Sequence, residues 1–283
     1  MTQTLEQLVQ HMVSSDPSSE AVRVRAAARL MSVLEDDPGR LADFSRAVAA
    51  AGQDHAPRAG ADEARLVLGV TGPPGSGKST LTDALIAEYR TRHPSRRVGA
   101  IAVDPSSPFT HGAVLGDRIR MMRHATDPMV FIRSLASRGH LGGLSRGVAG
   151  VRRVMELIGC DPVLIETVGV GQNEIEVTRI ADLVMVVLAP GQGDGVQMLK
   201  AGLLEIGDMF VVNKADQPAA GELRRQLAAA LELRGGPGSK PGPVHTCLVS
   251  ALSGDGVAGL TDALERITEE QHRSWRENRP DGL

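Results

Sequence analysis

Two kinds of hydrophobic pattern divide the chain. From residue 1 to about residue 51, apolar residues recur every three or four positions, which is the spacing of one face of an amphipathic helix. The apolar positions are Leu5, Leu8, Val9 and Met12 in a first helix, Val22, Ala26, Leu30, Val33 and Leu34 in a second that Ser19 is placed to cap, and Leu41, Phe44 and Val48 in a third. The pattern predicts an N-terminal helical region followed by a polar linker at residues 52–62.

Beyond residue 65, the apolar residues form short uninterrupted runs separated by helical stretches and glycine-rich turns. The six runs are Leu66–Val70, Val98–Val103, Val163–Ile165, Leu183–Leu188, Phe210–Val212 and Val244–Val249. Continuous apolar strands that alternate with helices indicate an α/β fold whose mostly parallel central sheet is flanked by helices on both faces. The predicted division is a helical region and linker at 1–62, a sheet domain at 63–270 and a short C-terminal tail at 271–283.

Composition and charge exclude several classes of function. The 283 residues include 31 Lys and Arg against 34 Asp and Glu, and 2% aromatic residues. We expect no nucleic-acid partner, because such proteins need a basic surface and base-stacking aromatics. We expect no membrane span and no secretory signal either, because no apolar run approaches ~18 residues and the N-terminus has no basic start. The predicted location is cytoplasmic, with Cys160 and Cys247 as small buried residues rather than disulfide partners or metal ligands.

A glycine-rich loop follows the first predicted strand and opens a helix predicted at Thr80 to Arg90. It fits the phosphate-loop pattern G-x-x-x-x-G-K-[ST], in which backbone N–H groups surround phosphate oxygens at a helix N-terminus. Lys78 would bridge the outer phosphates, and Ser79 would offer its hydroxyl to Mg²⁺. The predicted nucleotide-binding residues are Gly72, Pro73, Pro74, Gly75, Ser76, Gly77, Lys78, Ser79 and Thr80.

The sequence Asn213-Lys214-Ala215-Asp216 follows a later strand and predicts which base is bound. A carboxylate at Asp216 can accept hydrogen bonds from N1–H and the exocyclic amine of guanine. Adenine offers no such pair of donors and would leave the carboxylate without a partner. Ser250-Ala251, at the end of the last strand, would complete the base pocket. We therefore expect GTP and GDP to be preferred to ATP.

Several acids are candidates for the metal shell. Glu166 ends a strand predicted at residues 162–167, where it can reach Mg²⁺, and Gly169 can turn its N–H toward the γ-phosphate. Asp104 ends another strand and Asp117 lies near the start of a helix, so either carboxylate could face the metal and the phosphates. The alternative for both is an ordinary helix cap or a solvated acid.

These strings together resemble the methylmalonyl-CoA mutase-associated GTPases, the MeaB/ArgK family, whose human relative is the methylmalonic aciduria type A protein. The resemblance runs from about Ala27 to Glu270, and its most specific strings are those at 103–107 and 166–172. It implies a P-loop GTPase that hydrolyses GTP to GDP and phosphate. It also implies a metallochaperone that gates adenosylcobalamin loading and protection of a cobalamin-dependent acyl-CoA mutase, such as methylmalonyl-CoA mutase.

The resemblance also implies roles for individual residues. By the family pattern, the Mg²⁺ shell comprises Ser79, Asp104, Asp117 and Glu166, and the guanine site comprises Asn213, Lys214, Asp216, Ser250 and Ala251. Lys200 falls where the family has a lysine implicated in partner-stimulated hydrolysis, which makes Lys78, Glu166 and Lys200 the catalytic candidates. The alternative for Lys200 is an exposed helix lysine. Two departures from the family pattern bear on the partners. Many members read D-E-L-Q where this chain has Asp194-Gly195-Val196-Gln197, which bears on the response to the mutase. A homodimer is also implied, although members of the family usually build it with a longer C-terminal helical arm.

Two other functions remain open at this point. One is a P-loop kinase that passes the γ-phosphoryl group to a small molecule or a protein, like an arginine/ornithine transport kinase. It would need a base and a substrate pocket beside the phosphate loop, and no dedicated candidate is apparent. The other is a nickel-type metallochaperone, which would need clusters of Cys and His, and the two isolated cysteines argue against it.

Overall fold

The computed structural model describes residues 3–14, 17–52, 65–104, 122–124, 126–136, 143–167, 177–191, 202–232 and 244–277. The helices in this part of the chain are α1 (Leu5–Val13), α2 (Glu20–Asp36), α3 (Leu41–Ala50), α4 (Lys78–Arg92), α5 (Gly143–Leu157), α6 (Leu203–Ile206), α7 (Ala220–Glu232) and α8 (Val257–Glu277). The strands are β1 (Val67–Thr71), β2 (Arg97–Asp104), β3 (Val130–Ala136), β4 (Cys160–Thr167), β5 (Leu183–Leu188), β6 (Met209–Val212) and β7 (His245–Leu248).

All seven strands run parallel in one sheet with the order β3-β2-β4-β1-β5-β6-β7. β1 lies in the centre, between β4 and β5, so the chain crosses to both sides of its first strand. In sheets of this kind the loops at the carboxyl ends of the strands form the ligand site. The predicted α/β fold with a parallel sheet is therefore confirmed, and its central strand leads directly into the glycine-rich loop.

The two faces of the sheet have separate hydrophobic cores. α4 and α8 cover one face, with residues such as Leu85 and Leu264 fully buried against β1 and β5. The other face is covered by α5 and α7 together with the three N-terminal helices. Leu34 of α2 packs against α5, where a Cβ atom on Gly150 would lie only 3.2 Å from the Leu34 side chain. The N-terminal helices thus share a core with the sheet, and the proposed division at residues 62 and 63 stays a prediction.

The helical pattern at the N-terminus locates all three helices correctly, with two local differences. Val22 is 38% exposed, so the prediction that it belongs to the apolar face of α2 is wrong. Ser19 does occupy the N-cap position of α2, but its side chain makes no capping hydrogen bond. The capped helix is α1, where Thr4 and Gln7 form a reciprocal capping box.

β3 was not among the predicted strands. Its sequence, VFIRSLA, interrupts the apolar run with Arg133 and Ser134, and most of its residues are only half-buried because β3 is an edge strand. Arg133 is accommodated by Glu35 of α2, with 2.5 Å between Nη2 and Oε2. Arg133, which interrupts the apolar pattern of β3, therefore forms a contact with the N-terminal helices.

The structure also bears on the predictions about the two cysteines and about membrane spans. Cys160 is buried in β4 and Cys247 is half-buried in β7; both are free thiols, and burial raises the pKa of each. Within the described ranges, no helix is both long enough and apolar enough to cross a membrane.

Aspartate side chains accept hydrogen bonds from three backbone amides at the amino ends of two strands, β1 and β5. Asp161 accepts a hydrogen bond from the Leu66 amide, Asp182 from the Val67 amide and Asp208 from the Val184 amide, at 3.1, 2.9 and 2.8 Å. These amides precede or begin the strand ladders, so each carboxylate satisfies a donor that the sheet leaves free. Burial is the largest influence on Asp182 and raises its pKa above the ordinary value.

We predict that Asp182→Asn stabilises the protein at pH 7. A raised pKa in the folded state means that ionisation of Asp182 costs free energy on folding, so stability is lost as the pH rises through that pKa. The amide oxygen of Asn can still accept from Val67, and we expect a gain below about 1 kcal/mol because part of the side chain keeps solvent contact. Thermal unfolding between pH 4 and pH 8 measures this gain, which should shrink toward acid pH. Asp208→Asn, at the equivalent cap of Val184, is the matched control, and a pH-independent difference would contradict the assignment.

Candidate functional site

The glycine-rich loop lies at the carboxyl end of β1 and leads into α4. Gly72 and Gly77 have φ angles of 137° and 86°, which lie in the region that favours glycine. A Cβ atom on Gly72 would lie 2.1 Å from the carbonyl oxygen of Val187, and one on Gly77 would lie 2.4 Å from Nδ2 of Asn213. Both positions therefore need glycine, for the turn itself and for close contact with neighbouring backbone and side chains.

Lys78 turns its side chain back over this loop. Its Nζ donates hydrogen bonds to the carbonyl oxygens of Gly72 and Pro73, at 2.8 and 3.0 Å, and the residue is buried. The ammonium group thus lies beside the N-terminus of α4, where free backbone N–H groups and the helix dipole already favour an anion. A phosphate group is the ligand that this concentration of donors and positive charge suits.

Ser79 contacts the end of β4. Its hydroxyl donates to Oε1 of Glu166 at 2.6 Å, and both residues are buried. They are 87 positions apart in the chain and meet because β4 pairs with β1, in the register Val70↔Glu166. This contact brings the two predicted metal ligands, a hydroxyl oxygen and a carboxylate oxygen, together beside Lys78.

The oxygen atoms of Ser79 and Glu166 are suitable ligands for Mg²⁺. Hydroxyl and carboxylate oxygens are hard ligands, and Mg²⁺ is usually held by one or two carboxylates with phosphate oxygens of the substrate. Considering only the residues that the structure describes, no group of three or more His, Cys, Asp or Glu side chains could hold a metal ion by itself. Ser79 and Glu166 are therefore the described residues that would hold Mg²⁺, with a nucleotide completing the shell.

Asn213 joins the loop at residues 213–216, which is the predicted base loop, to the phosphate loop. Its Nδ2 donates to the carbonyl oxygen of Ser76 at 2.9 Å, and its Oδ1 accepts from the backbone amides of Lys214 and Ala251 at 2.8 and 3.0 Å. The residue is 2% exposed, so these bonds satisfy an amide that water does not reach. Asn213 thus acts between three loops, a role that its place in the four-residue string could not show.

The Asp216 side chain is exposed and accepts a hydrogen bond from Ser250. The Ser250 hydroxyl donates to Oδ1 of Asp216 at 2.6 Å, and this bond is the main reason why the pKa of Asp216 lies below its ordinary value. Lys214, beside it, has a φ angle of 58° and is the single described residue other than glycine with a positive φ. Such backbone conformations cluster at functional sites.

The predicted site residues fall into two sets. The structure brings together the loop residues Gly72, Pro73, Pro74, Gly75, Ser76, Gly77, Lys78, Ser79 and Thr80, together with Glu166, Asn213, Lys214, Asp216, Ser250 and Ala251, along the carboxyl ends of β1, β4, β6 and β7. Asp117, Gly169 and Lys200 lie outside the described residues. Asp104 ends β2 at the same edge of the sheet, but its side chain also lies outside what is described.

Leu252 is a residue that the sequence patterns missed. It follows Ser250 and Ala251 directly and is 88% exposed, far more than other large apolar residues of the described chain. An exposed apolar side chain beside the predicted base loop is a candidate for packing against the flat face of a base. The signal was available in the sequence, as an isolated leucine directly after Ser250-Ala251.

Comparison with known proteins gives this geometry its context. The model of the methylmalonyl-CoA mutase-associated GTPase MeaB family matches residues 28–280. A protein of Pyrococcus abyssi that is named as a GTPase is 42% identical over 276 residues, which are 96% of this chain and 78% of the relative. GTPase ArgK of Escherichia coli is 46% identical over 155 residues, covering 53% of this chain and 45% of that protein.

Two further similarities reach more distant proteins. The methylmalonic aciduria type A homologue of Caenorhabditis elegans is 40% identical over 157 residues, 56% of this chain and 38% of that protein. Among solved structures, an LAO/AO transport system kinase superposes with a TM-score of 0.65 at 24% identity, covering 98% of this chain and 83% of the other. At this identity the superposition supports the fold alone.

The family match covers most of the chain, and its relatives in Pyrococcus abyssi and Escherichia coli are named GTPases. The prediction that this protein is a GTPase is therefore confirmed, and the resemblance seen in its motifs is confirmed with it. The chain belongs to the methylmalonyl-CoA mutase-associated GTPases, the MeaB family.

Proposed function

We propose that this GTPase is Mg²⁺-dependent and acts as a metallochaperone. In this role it gates adenosylcobalamin loading and protection of a cobalamin-dependent acyl-CoA mutase, either methylmalonyl-CoA mutase or a relative. The observation that carries the metal dependence is the buried contact between Ser79 and Glu166 beside the phosphate loop. The family to which the chain belongs, named for its association with methylmalonyl-CoA mutase, supports the partner.

The positive charges and the oxygen ligands beside the phosphate loop support a cycle of GTP binding and hydrolysis. Lys78 and the N-terminus of α4 would neutralise the phosphates, and Mg²⁺ would supply further positive charge to the γ-phosphate oxygens during hydrolysis. Glu166 would hold that ion from the end of β4, and the next residues of the chain include Gly169, our candidate for sensing loss of the γ-phosphate. Asp104 and Asp117 stay predicted members of the metal shell, and the homodimer and the cytoplasmic location also stay predictions.

We expect Asp216→Asn to lower the affinity for GTP and GDP. The change removes a charged acceptor for two guanine donors, which is worth about 2 kcal/mol or more, or roughly 30-fold in dissociation constant. An amide donor at this position suits the carbonyl at C2 of xanthine, so affinity for xanthosine nucleotides should rise. Calorimetry with GTP, GDP, ATP and the xanthosine nucleotides measures both effects.

The control for that experiment is Asp43→Asn, which makes the same substitution at an exposed residue of α3. Equal affinity of the unmodified protein for ATP and GTP would overturn the base-pocket assignment. Release of phosphate from GTP without any acceptor molecule would count against the kinase alternative.

Glu166→Gln should raise the Mg²⁺ concentration needed for half-maximal GTP hydrolysis. Removing one charged oxygen from the metal shell is expected to weaken metal affinity by roughly 10- to 100-fold. Titrating Mg²⁺ against GTP turnover and against GTP binding tests this, with Glu222→Gln on the exposed surface of α7 as the control. Identical Mg²⁺ curves for Glu166→Gln and the unmodified protein would remove Glu166 from the shell.

Lys200→Ala is expected to leave GTP affinity intact and to abolish stimulation of turnover by the mutase. The measurement is GTP hydrolysis with and without a methylmalonyl-, isobutyryl- or ethylmalonyl-CoA mutase, and Lys240→Ala provides a lysine control. Stimulation that survives Lys200→Ala would return this residue to an ordinary helix lysine. If no mutase binds or stimulates even the unmodified protein, the chaperone role fails.

A further inference from the structure

A buried pair of hydroxyl groups joins the ends of β1 and β4. The Thr167 hydroxyl lies 3.1 Å from Oγ1 of Thr71 and 3.4 Å from the carbonyl oxygen of Val70, so both oxygens are acceptors within reach of its single proton, and Thr71 is the nearer. Thr71 and Thr167 are 0% and 2% exposed, so neither hydroxyl has access to bulk water. The two groups therefore depend on each other and on the backbone for their hydrogen bonds.

The position of this pair relates it to both halves of the phosphate site. The register between β1 and β4 runs as far as Val70↔Glu166, and the threonines are the next residue on each strand. Thr71 directly precedes Gly72 of the phosphate loop, and Thr167 directly follows Glu166. The side-chain bond thus continues the connection between the strands by one residue, to the point where β1 turns into the phosphate loop.

The side chains of Thr71 and Thr167 lie on the face of the sheet opposite to the proposed metal ligands, Ser79 and Glu166. Successive side chains of a strand alternate between faces. Glu166 contacts Ser79 of α4, and Val70 belongs to the core that α4 and α8 cover, so Thr71 and Thr167 belong to the other face. They cannot touch a nucleotide bound at α4 and can act on it only through the backbone of the residues beside them.

Burying these two hydroxyl groups in an apolar core costs free energy of desolvation. The rest of β1 and the inner part of β4 are built almost wholly from apolar residues, and valine would fill the same volume as threonine without a group that needs a partner. What the hydroxyls add to such a core is a directional bond. This bond fixes the relative position of two strand ends that hydrophobic packing alone would hold less closely.

We propose that Thr167 and Thr71 are positioning residues, whose hydroxyl bond sets the place of the Glu166 carboxylate relative to the phosphate loop and so tunes affinity for the Mg²⁺–nucleotide complex. The inference rests on the proposed metal role of Glu166. Breaking the bond frees the end of β4 to shift against β1, which moves a metal donor and leaves the phosphate loop and the base pocket intact.

The test is the Mg²⁺ dependence of binding of a fluorescent GDP analogue, a readout that needs no turnover. Thr167→Val should raise the Mg²⁺ concentration for half-maximal enhancement of binding on the order of 10-fold, with GDP affinity in EDTA unchanged. Thr167→Ser keeps the hydroxyl and should restore the original curve. Thr71→Val should have a smaller effect, because Thr167 can still donate to the Val70 carbonyl, and the double valine variant should match Thr167→Val.

The matched control is Thr261→Val. Thr261 is equally buried, in α8, and its hydroxyl donates to the Val257 carbonyl within the helix. Both valine variants are expected to change the melting temperature, so melting alone does not separate a structural role from a positioning role. If Thr167→Val and Thr261→Val give the same Mg²⁺ curve, or if Thr167→Ser behaves like Thr167→Val, the inference is overturned. If GDP binding to the unmodified protein ignores Mg²⁺, the proposed metal role fails first, and this inference fails with it.

Discussion

The side-chain amide of Asn213 connects three loops that come from distant parts of the chain. It donates to the phosphate loop at Ser76 and accepts from the backbone amides of Lys214 and Ala251. These bonds are buried, so losing the amide would leave a carbonyl and two N–H groups without partners. One side chain thereby links the phosphate loop to the loops that we propose hold the base, an arrangement that suits a nucleotide held at both ends.

Charge is distributed along this edge of the sheet in a way that matches the parts of a nucleotide. The Lys78 ammonium group lies at the N-terminus of α4, the Glu166 carboxylate at the end of β4, and the Asp216 carboxylate at the far side of the base loop. In the proposed function, the phosphates would meet the ammonium group, the divalent cation would meet the Glu166 carboxylate, and the N–H donors of guanine would meet the Asp216 carboxylate. Parallel strands make this possible because all their carboxyl ends meet at one edge.

The N-terminal helices contribute to the same framework from the opposite face. α2 is joined to β3 by the pair Arg133–Glu35 and to the start of β2 by the pair Arg97–Glu20, and its Leu34 packs closely on Gly150 of α5. The edge strand β3 is polar in its middle because α2 provides the partner for that polarity. The N-terminal helices are therefore part of the packing around the sheet. The sequence of β3 alone does not show that α2 supplies the partner for Arg133.

The sequence by itself determined the alternation of helices and apolar strands, the phosphate loop and the string at Asn213, since these depend on local spacing and on turns that only glycine can make. It also located Glu166 at a strand end. Only the tertiary structure decided that Ser79 meets Glu166, that Asn213 bridges to Ser76, and that Thr71 and Thr167 share a buried bond. These contacts join residues roughly 90 to 140 positions apart. Two of them exist because β4 lies beside β1, and the Asn213 bridge exists because β6 lies two strands from β1 in the same parallel sheet, an order that no local pattern specifies.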